Sequence, residues 1–255
     1  MPQNSIHPSL KDKLVLITGG GSGIGASHVA AFCAQGARVA FFDIAREASE
    51  AVVAKNADAP GGAPLFLEVD LTDIPALRAG IEAVRDRLGE IEVLVNNAAD
   101  DTRHTLDDVD EAYFEDRIAV NLRHMVFAAQ AVAPGMRARG SGVIINTGSI
   151  TWHAAFGGLP LYAMAKAGVE GLSRSLAREL GPDNIRVNCI IPGWVMTERQ
   201  LTLWVDDAAR AKIKQMQCLP GLVQPEDIAN MATWLASDDS RMCTSQIFVV
   251  DGGWI

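Results

Sequence analysis

Short β-branched and apolar runs alternate with helical stretches along the whole 255-residue chain, which predicts an α/β fold. We expect one doubly wound domain spanning residues 1–255, a seven-stranded parallel sheet flanked by helices. Two further observations support this. The runs are nearly continuous in apolar residues rather than alternating, as in parallel strands covered on both faces. Gly36, Gly89, Gly140 and Gly181 each stop a helical pattern just before the next run, where helices commonly end on glycine.

Taken in order, the strands are expected at 13–18, 38–43, 65–70, 92–96, 143–147, 186–191 and 246–250. Helical patterns fall at 24–35, 74–88, 111–139 and 161–180. There is no internal repeat and no low-complexity tract. Right-handed crossovers between such strands place a ligand cleft at their carboxyl ends.

Composition narrows the function. Hydrophobic residues make up 49% of the chain, enough for a large core, and net charge is −9 with no Lys/Arg cluster. That balance argues against a nucleic-acid partner and against anionic membrane surfaces. The substrate is then a small molecule, neutral or an anion held by a few local charges. Cys33, Cys189, Cys218 and Cys243 are far apart and in apolar surroundings, so buried free thiols are expected and no metal site. Free thiols suit a reducing compartment. Residues 1–13 lack the apolar core of a secretory signal, and no apolar run approaches the ~20 residues of a membrane span, so the expected location is cytoplasmic.

The sequence TGGGSGIG at 18–25 directly follows the first strand and opens the first helix. Glycines there let main-chain N–H groups approach a pyrophosphate at a helix N-terminus, which marks a Rossmann-type dinucleotide site. The spacing is GxxxGxG through Gly19, Gly23 and Gly25; the commoner GxGxxG template fits loosely from Gly21 through Ser22, Gly23, Ile24 and Gly25. Asp43 ends the second strand about twenty residues on. A carboxylate there accepts hydrogen bonds from ribose hydroxyls and repels a 2′-phosphate, so NAD is the expected cofactor. Its other reading is a cap for the helix near Arg46, the one nearby cation that could soften NADP exclusion.

Ser149 follows the fifth strand, and Tyr162 and Lys166 lie one helical turn apart, on one face. A phenol is a poor base at neutral pH. A nearby ammonium and the positive ring of an oxidised nicotinamide favour phenolate, and Ser149 can hold the substrate oxygen. Alone, a YxxxK pair is a common helix-surface pattern. Joined to the glycine loop and Ser149, it points to hydride-transfer chemistry on an alcohol.

With Asn96-Asn97-Ala98-Ala99, Asn121 and the 192–197 segment PGWVMT, these motifs resemble the short-chain dehydrogenase/reductase pattern from first strand to C-terminus. The resemblance implies further roles. Asn121 would hold a proton-relay water beside Lys166, Asp70 would contact adenine, and Asn97 and Ala98 would run along the cofactor. Lys166 would also bind the nicotinamide ribose and Thr197 the carboxamide, with Leu71, Pro192 and Val195 also at the cofactor. It further implies a homotetramer packed through the long helices carrying Asn121 and Tyr162. Ala99 departs from the glycine most usual there. Polar segments at 100–104, 121–125 and 149–153 also look like those of bacterial NAD-dependent D-xylose 1-dehydrogenases, which oxidise aldopyranoses to lactones. Arg103, His153 and Trp194 are therefore expected at the substrate, beneath a lid at 198–220 that carries Trp204 and Met216. The alternatives are a secondary alcohol or ketone of a sugar acid or other small metabolite as substrate, and a non-catalytic NAD sensor.

Overall fold

The computed structural model describes residues 5–255. Seven strands form one parallel sheet: β1 (Leu14–Thr18), β2 (Arg38–Asp43), β3 (Leu65–Glu68), β4 (Val93–Asn96), β5 (Gly142–Thr147), β6 (Ile185–Pro192) and β7 (Ile247–Val250). Their spatial order is β3-β2-β1-β4-β5-β6-β7. The order reverses between β1 and β4, where a cleft opens at the strand carboxyl ends. In register, Thr18 stands beside Asn96 and Asn96 beside Asn146. The Asn96 amide donates to Asn146 and the Asn146 amide to the Ser173 hydroxyl, at 2.8 and 2.9 Å. This buried chain locks the sheet centre to the helix that carries Ser173.

Helices cover both faces: α1 (Gly23–Ala34), α2 (Arg46–Lys55), α3 (Ile74–Leu88), α4 (Glu111–Ile118), α5 (His124–Arg139), α6 (Pro160–Leu180), α7 (Glu198–Leu203), α8 (Asp207–Met216) and α9 (Pro225–Ala236). One core layer packs β1 and β4 residues Leu16 and Leu94 on Leu77, Ile81 and Val132 of α3 and α5. The opposite layer sets Ile17 and Val95 against Phe32 of α1 and Ile228 of α9. No helix among the described residues is long and apolar enough to cross a membrane.

Three sequence expectations change. The helical stretch 111–139 is not continuous: a π turn at Ala119–Arg123 separates α4 from α5. The extra residue in that turn brings Asn121 inward, where it is fully buried. Gly181 does not make the left-handed step after α6; its φ is helical, and Asn184 at φ 59° turns the chain toward β6 after a short 3-10 turn. Of the four free cysteines only Cys33 and Cys189 are buried, because Cys218 lies on an exposed loop and Cys243 is half-buried before β7.

Candidate active site

The cleft at the carboxyl edge has a volume of about 980 Å³. Gly19, Ser22, Gly23, Ile24, Gly25, Asp43, Asp70 and Leu71 border one end. Asn97, Ala98, Ala99, Pro192, Val195 and Thr197 border the middle, and Arg103, Ser149, Tyr162, Lys166 and Trp194 the other end. The sequence-predicted residues thus converge, with three exceptions taken up below.

At the first end the main chain fits a dinucleotide. Gly19 has φ +69°, and a Cβ there would lie 2.8 Å from Ala98 Cα; one on Gly25 would lie 1.7 Å from the Gly19 carbonyl oxygen. Only bare backbone turns this tightly from β1 into α1. Ser22 stands at the α1 N-cap without a side-chain cap bond, and the first turn carries no acidic residue. Its free N–H groups therefore suit an anion at the cleft wall. Gly21, the first exception, does not border the cleft: its N–H donates to Asp43 Oδ2 at 2.8 Å. Asp43 Oδ1 accepts Ala45 N–H at 2.9 Å, so Asp43 fixes the chain ahead of α2 without being its N-cap. Each oxygen keeps acceptor capacity. Arg46, the cation that could have met a 2′-phosphate, is paired with Glu68 and, at 3.7 Å, with Glu50. Asp70 forms its own turn, accepting Thr72 N–H and hydroxyl at 2.8 and 2.7 Å.

At the other end, Tyr162 is half-buried on the first turn of α6. Burial pushes its phenol above the ordinary value, Asp101 adds to the rise, and the Ser149 hydroxyl and Arg103 pull the other way. Lys166 is anchored to the main chain beside it. Its Nζ donates to the Thr147 carbonyl at 2.7 Å and lies 5.6 Å from the Tyr162 ring centroid. Burial lowers Lys166 to about 8, so the ammonium persists at neutral pH. Ser149 Oγ accepts Thr151 N–H at 3.2 Å, which steadies the hydroxyl. Thr197 both borders the cleft and caps α7, accepting Gln200 N–H at 3.3 Å.

Asn121, the second exception, sits behind the cleft. Its Oδ1 accepts Asp100 N–H at 2.9 Å, and its Nδ2 donates to the Asp100 and Arg117 carbonyls at 3.1 and 3.0 Å. Both amide hydrogens and one oxygen lone pair are thus engaged, and the side chain holds the loop after β4. Asp100 itself is pushed up by burial, but bonds from Thr102 and Arg117 outweigh this and hold it below the usual carboxylate range. His124 is fully buried and kept neutral by that burial, near 4, with Nε2–H donating to the Ala98 carbonyl at 3.2 Å.

The third exception is His153, which does not border the cleft. Its Nε2–H donates to Glu170 Oε1 at 2.9 Å, and its ring lies 3.8 Å from that of Trp152. Glu170 also accepts the Trp152 indole N–H at 2.6 Å. A buried carboxylate thus draws both side chains onto α6 and away from substrate. The segment 198–220, expected as a lid, divides in two. Residues of α7 border the cleft, whereas α8 packs inward through Ala209 and Ile213, and Met216 is exposed on it. Trp204 lies under the Arg103 guanidinium, 5.1 Å from its carbon.

Sequence reasoning missed two residues. His104 is buried beside Tyr113 and accepts Leu161 N–H through Nε2 at 3.2 Å. Gln200 bridges Trp194 and Asp101. Neither belongs to a spacing motif, and both partners lie far off in sequence or across a loop.

The short-chain dehydrogenase model described as enoyl-(acyl carrier protein) reductase matches residues 19–255. The chain is 51% identical to D-xylose 1-dehydrogenase of Caulobacter vibrioides, over 98% of this chain and 99% of that one. It is 47% identical to a probable galactose dehydrogenase of Rhizobium meliloti, over 98% of each. A solved 7α-hydroxysteroid dehydrogenase, in complex with NADH and 7-oxo glycochenodeoxycholic acid, superposes with a TM-score of 0.91 at 33% identity, covering 96% of both chains. The glycine cradle, the Ser149–Tyr162–Lys166 cluster and these full-length similarities agree: the chain belongs to the short-chain dehydrogenase/reductase family, and it is an oxidoreductase acting on CH–OH groups with a nicotinamide dinucleotide.

Proposed function

We propose that the protein is an NAD-dependent aldose 1-dehydrogenase that oxidises a neutral aldopyranose, a pentose such as D-xylose or a near relative, to its lactone. The observation that carries this reading is the polar substrate end of the cleft. Asp100, Asp101, Arg103, Arg199 and Gln200 surround Ser149 and Tyr162, a lining suited to pairing several hydroxyls. Polar pairing discriminates among polyols more sharply than apolar walls can. The likeness to the xylose and galactose dehydrogenases supports the same substrate class.

In this reading the C1 hydroxyl of the ring lies between Ser149 and Tyr162. NAD, when bound, accepts the C1 hydride and brings a positive ring into the site. With that positive ring and the Lys166 ammonium favouring it, the Tyr162 phenolate would take the hydroxyl proton as the C1–O bond becomes the lactone carbonyl. Ser149 holds the oxygen, and the Lys166 ammonium supplies positive charge one helical turn from the phenol. Its depressed value leaves it able to pass a proton on. With its amide hydrogens engaged, Asn121 would offer a relay water a carbonyl oxygen. The preference for NAD rests on Asp43 at the cleft and on Arg46 being paired with two carboxylates.

A homotetramer is part of this proposal, supported by exposed Phe114, Val126 and Met164 on α4, α5 and α6. So is a cytoplasmic location, which unpaired thiols and an NAD-linked reaction suit. One observation favours a second substrate class, a sugar acid: Arg103 borders the cleft and makes no ion pair among the described residues. NADH appearance with NAD⁺ across pentoses, hexoses and their acids separates the two. Brisk turnover of neutral sugars supports the proposal, whereas turnover confined to the acids assigns Arg103 to a substrate carboxylate and overturns it.

A further inference from the structure

Gln200 joins the two walls of the substrate end. Its amide has partners of opposite kind, since an indole N–H can only donate and a carboxylate can only accept. Gln200 Oε1 accepts Trp194 Nε1–H at 2.9 Å, and Gln200 Nε2 donates to Asp101 Oδ2 at 2.6 Å. The chemistry of the partners therefore fixes which way the amide points. Arg199, its neighbour, reaches Asp101 Oδ1 at 3.2 Å, but that guanidinium is half exposed and screened by water. The Gln200–Asp101 bond is partly buried and keeps its strength where the exposed ion pair is screened. Trp194 packs in turn on Phe156 and Trp254, each with ring centroids 6.4 Å away, so one end of the bridge is anchored in the core beside α8. The other end, Asp101, sits on the loop held by Asn121. Both Trp194 and Asp101 border the cleft, and two accepting positions on the Asp101 carboxylate remain for substrate hydroxyls.

Resting on the sugar-oxidising reading above, we propose that Gln200 is a specificity-determining positioning residue. By holding the Trp194 indole and the Asp101 carboxylate at a fixed separation, it sets the width of the substrate end for a small polyhydroxylated ring. The bridge ties α7 to the loop after β4 before any substrate arrives, so the ring meets a preformed pair of walls.

The test compares Gln200→Leu and Gln200→Glu with the unaltered enzyme, using Gln200→Met if the leucine variant folds poorly. Leucine removes both bonds, and glutamate sets a second carboxylate against Asp101. Expected for both is a rise of roughly tenfold or more in KM for the sugar, a fall in kcat of less than about fivefold, and NAD⁺ affinity within about twofold. Asp101→Asn added to Gln200→Glu restores a hydrogen bond with donor and acceptor exchanged, and should bring KM back below that of Gln200→Glu alone. Hydrogen exchange in the free protein is read alongside and needs no substrate: amides of 198–204 should exchange faster in both variants while those of α8 stay unchanged. Should the unaltered enzyme oxidise no sugar, the functional reading falls and the exchange data alone judge the bridge. Sugar turnover with unmoved KM, or unmoved exchange at 198–204, overturns the role of Gln200.

Discussion

His104 Nε2 accepts the main-chain N–H of Leu161, the residue immediately before Tyr162, at 3.2 Å. The tautomer follows from the partners: Nδ1–H donates to the Thr102 carbonyl at 3.0 Å, so Nε2 is the free acceptor. Leu161 lies in the first turn of α6, where N–H groups have no helical partner and Leu159 supplies no side-chain cap. A histidine from the loop after β4 thus caps the catalytic helix across the cleft.

Removing that cap should loosen the base. His104→Leu is expected to lower stability by about 1 kcal/mol, the usual worth of an N-terminal cap, and to reduce kcat more than it raises the KM for NAD⁺. His104→Gln, whose amide oxygen can accept the same N–H, should recover part of both. Urea unfolding and steady-state kinetics check this, and an unchanged kcat in His104→Leu would show that α6 needs no such cap.

Lys166 is held at a price in stability. Its value is near 8 when folded against about 10.5 unfolded, so below pH 8 both states carry the charge and only the folded one buries it. Lys166→Met should therefore be more stable at pH 7, by up to about 3 kcal/mol, less whatever is lost at the unpaired Thr147 carbonyl. The advantage should shrink as pH rises through 8 and vanish near 10.5. Denaturant titrations at pH 7 and pH 10 read the difference; a variant that gains nothing at pH 7 contradicts a buried, strained ammonium.

His28 lies wholly buried in α1 with neither ring nitrogen partnered, and burial lowers it to about 4. Stability from its neutral form is present above pH 6.5 and lost as pH falls toward 4, because the unfolded chain binds the proton first. His28→Leu should raise stability at pH 7 by about 1–3 kcal/mol, since two unsatisfied nitrogens are removed. It should also flatten the loss between pH 6.5 and 4. Thermal melts at both pH values decide; a less stable variant with the same acid slope would show that those nitrogens are satisfied in solution.

The alternation of seven strands with helices, the glycine loop and the Ser149, Tyr162 and Lys166 spacing were legible in sequence because each depends on local pattern, whereas the spatial order of the strands comes from the structure. The π turn at Asn121 was not legible, since its cause is a tertiary bond to Asp100 and the residues around it have ordinary helical character. His153 was expected at the substrate because the polar segment 149–153 looks like that of xylose dehydrogenases; Glu170, seventeen residues on and buried, decides its direction. In the free protein the Tyr162 phenol is raised rather than lowered, for a related reason. Helical spacing puts Lys166 on the right face but cannot show that its nitrogen turns to the Thr147 carbonyl, nor that Asp101 stands nearby.

Cofactor choice follows from Asp43. A carboxylate at the cleft facing a 2′-phosphate, with Arg46 already paired, should favour NAD⁺ over NADP⁺ by at least roughly tenfold in kcat/KM, or ~1.4 kcal/mol. Asp43→Ala should narrow the ratio, although it also frees Gly21 and Ala45 N–H groups and will weaken NAD⁺ binding somewhat. Equal efficiency with both cofactors would remove Asp43 from that role.

The central claim is that Tyr162, with Ser149 and Lys166, removes the C1 hydroxyl proton of an aldose as the ring becomes a lactone. The most direct measurement is product analysis by NMR of D-xylose incubated with NAD⁺ and either the unaltered enzyme or Tyr162→Phe, which lacks only the phenolic hydroxyl that would take up the proton. The account predicts lactone and its aldonate in step with NADH from the unaltered enzyme. It predicts product formation slower by roughly 10²–10⁴ in the variant, with NAD⁺ affinity retained. Near-normal lactone formation by Tyr162→Phe would place the base elsewhere. No lactone from any pentose, alongside rapid oxidation of a sugar acid or another alcohol, would contradict the substrate.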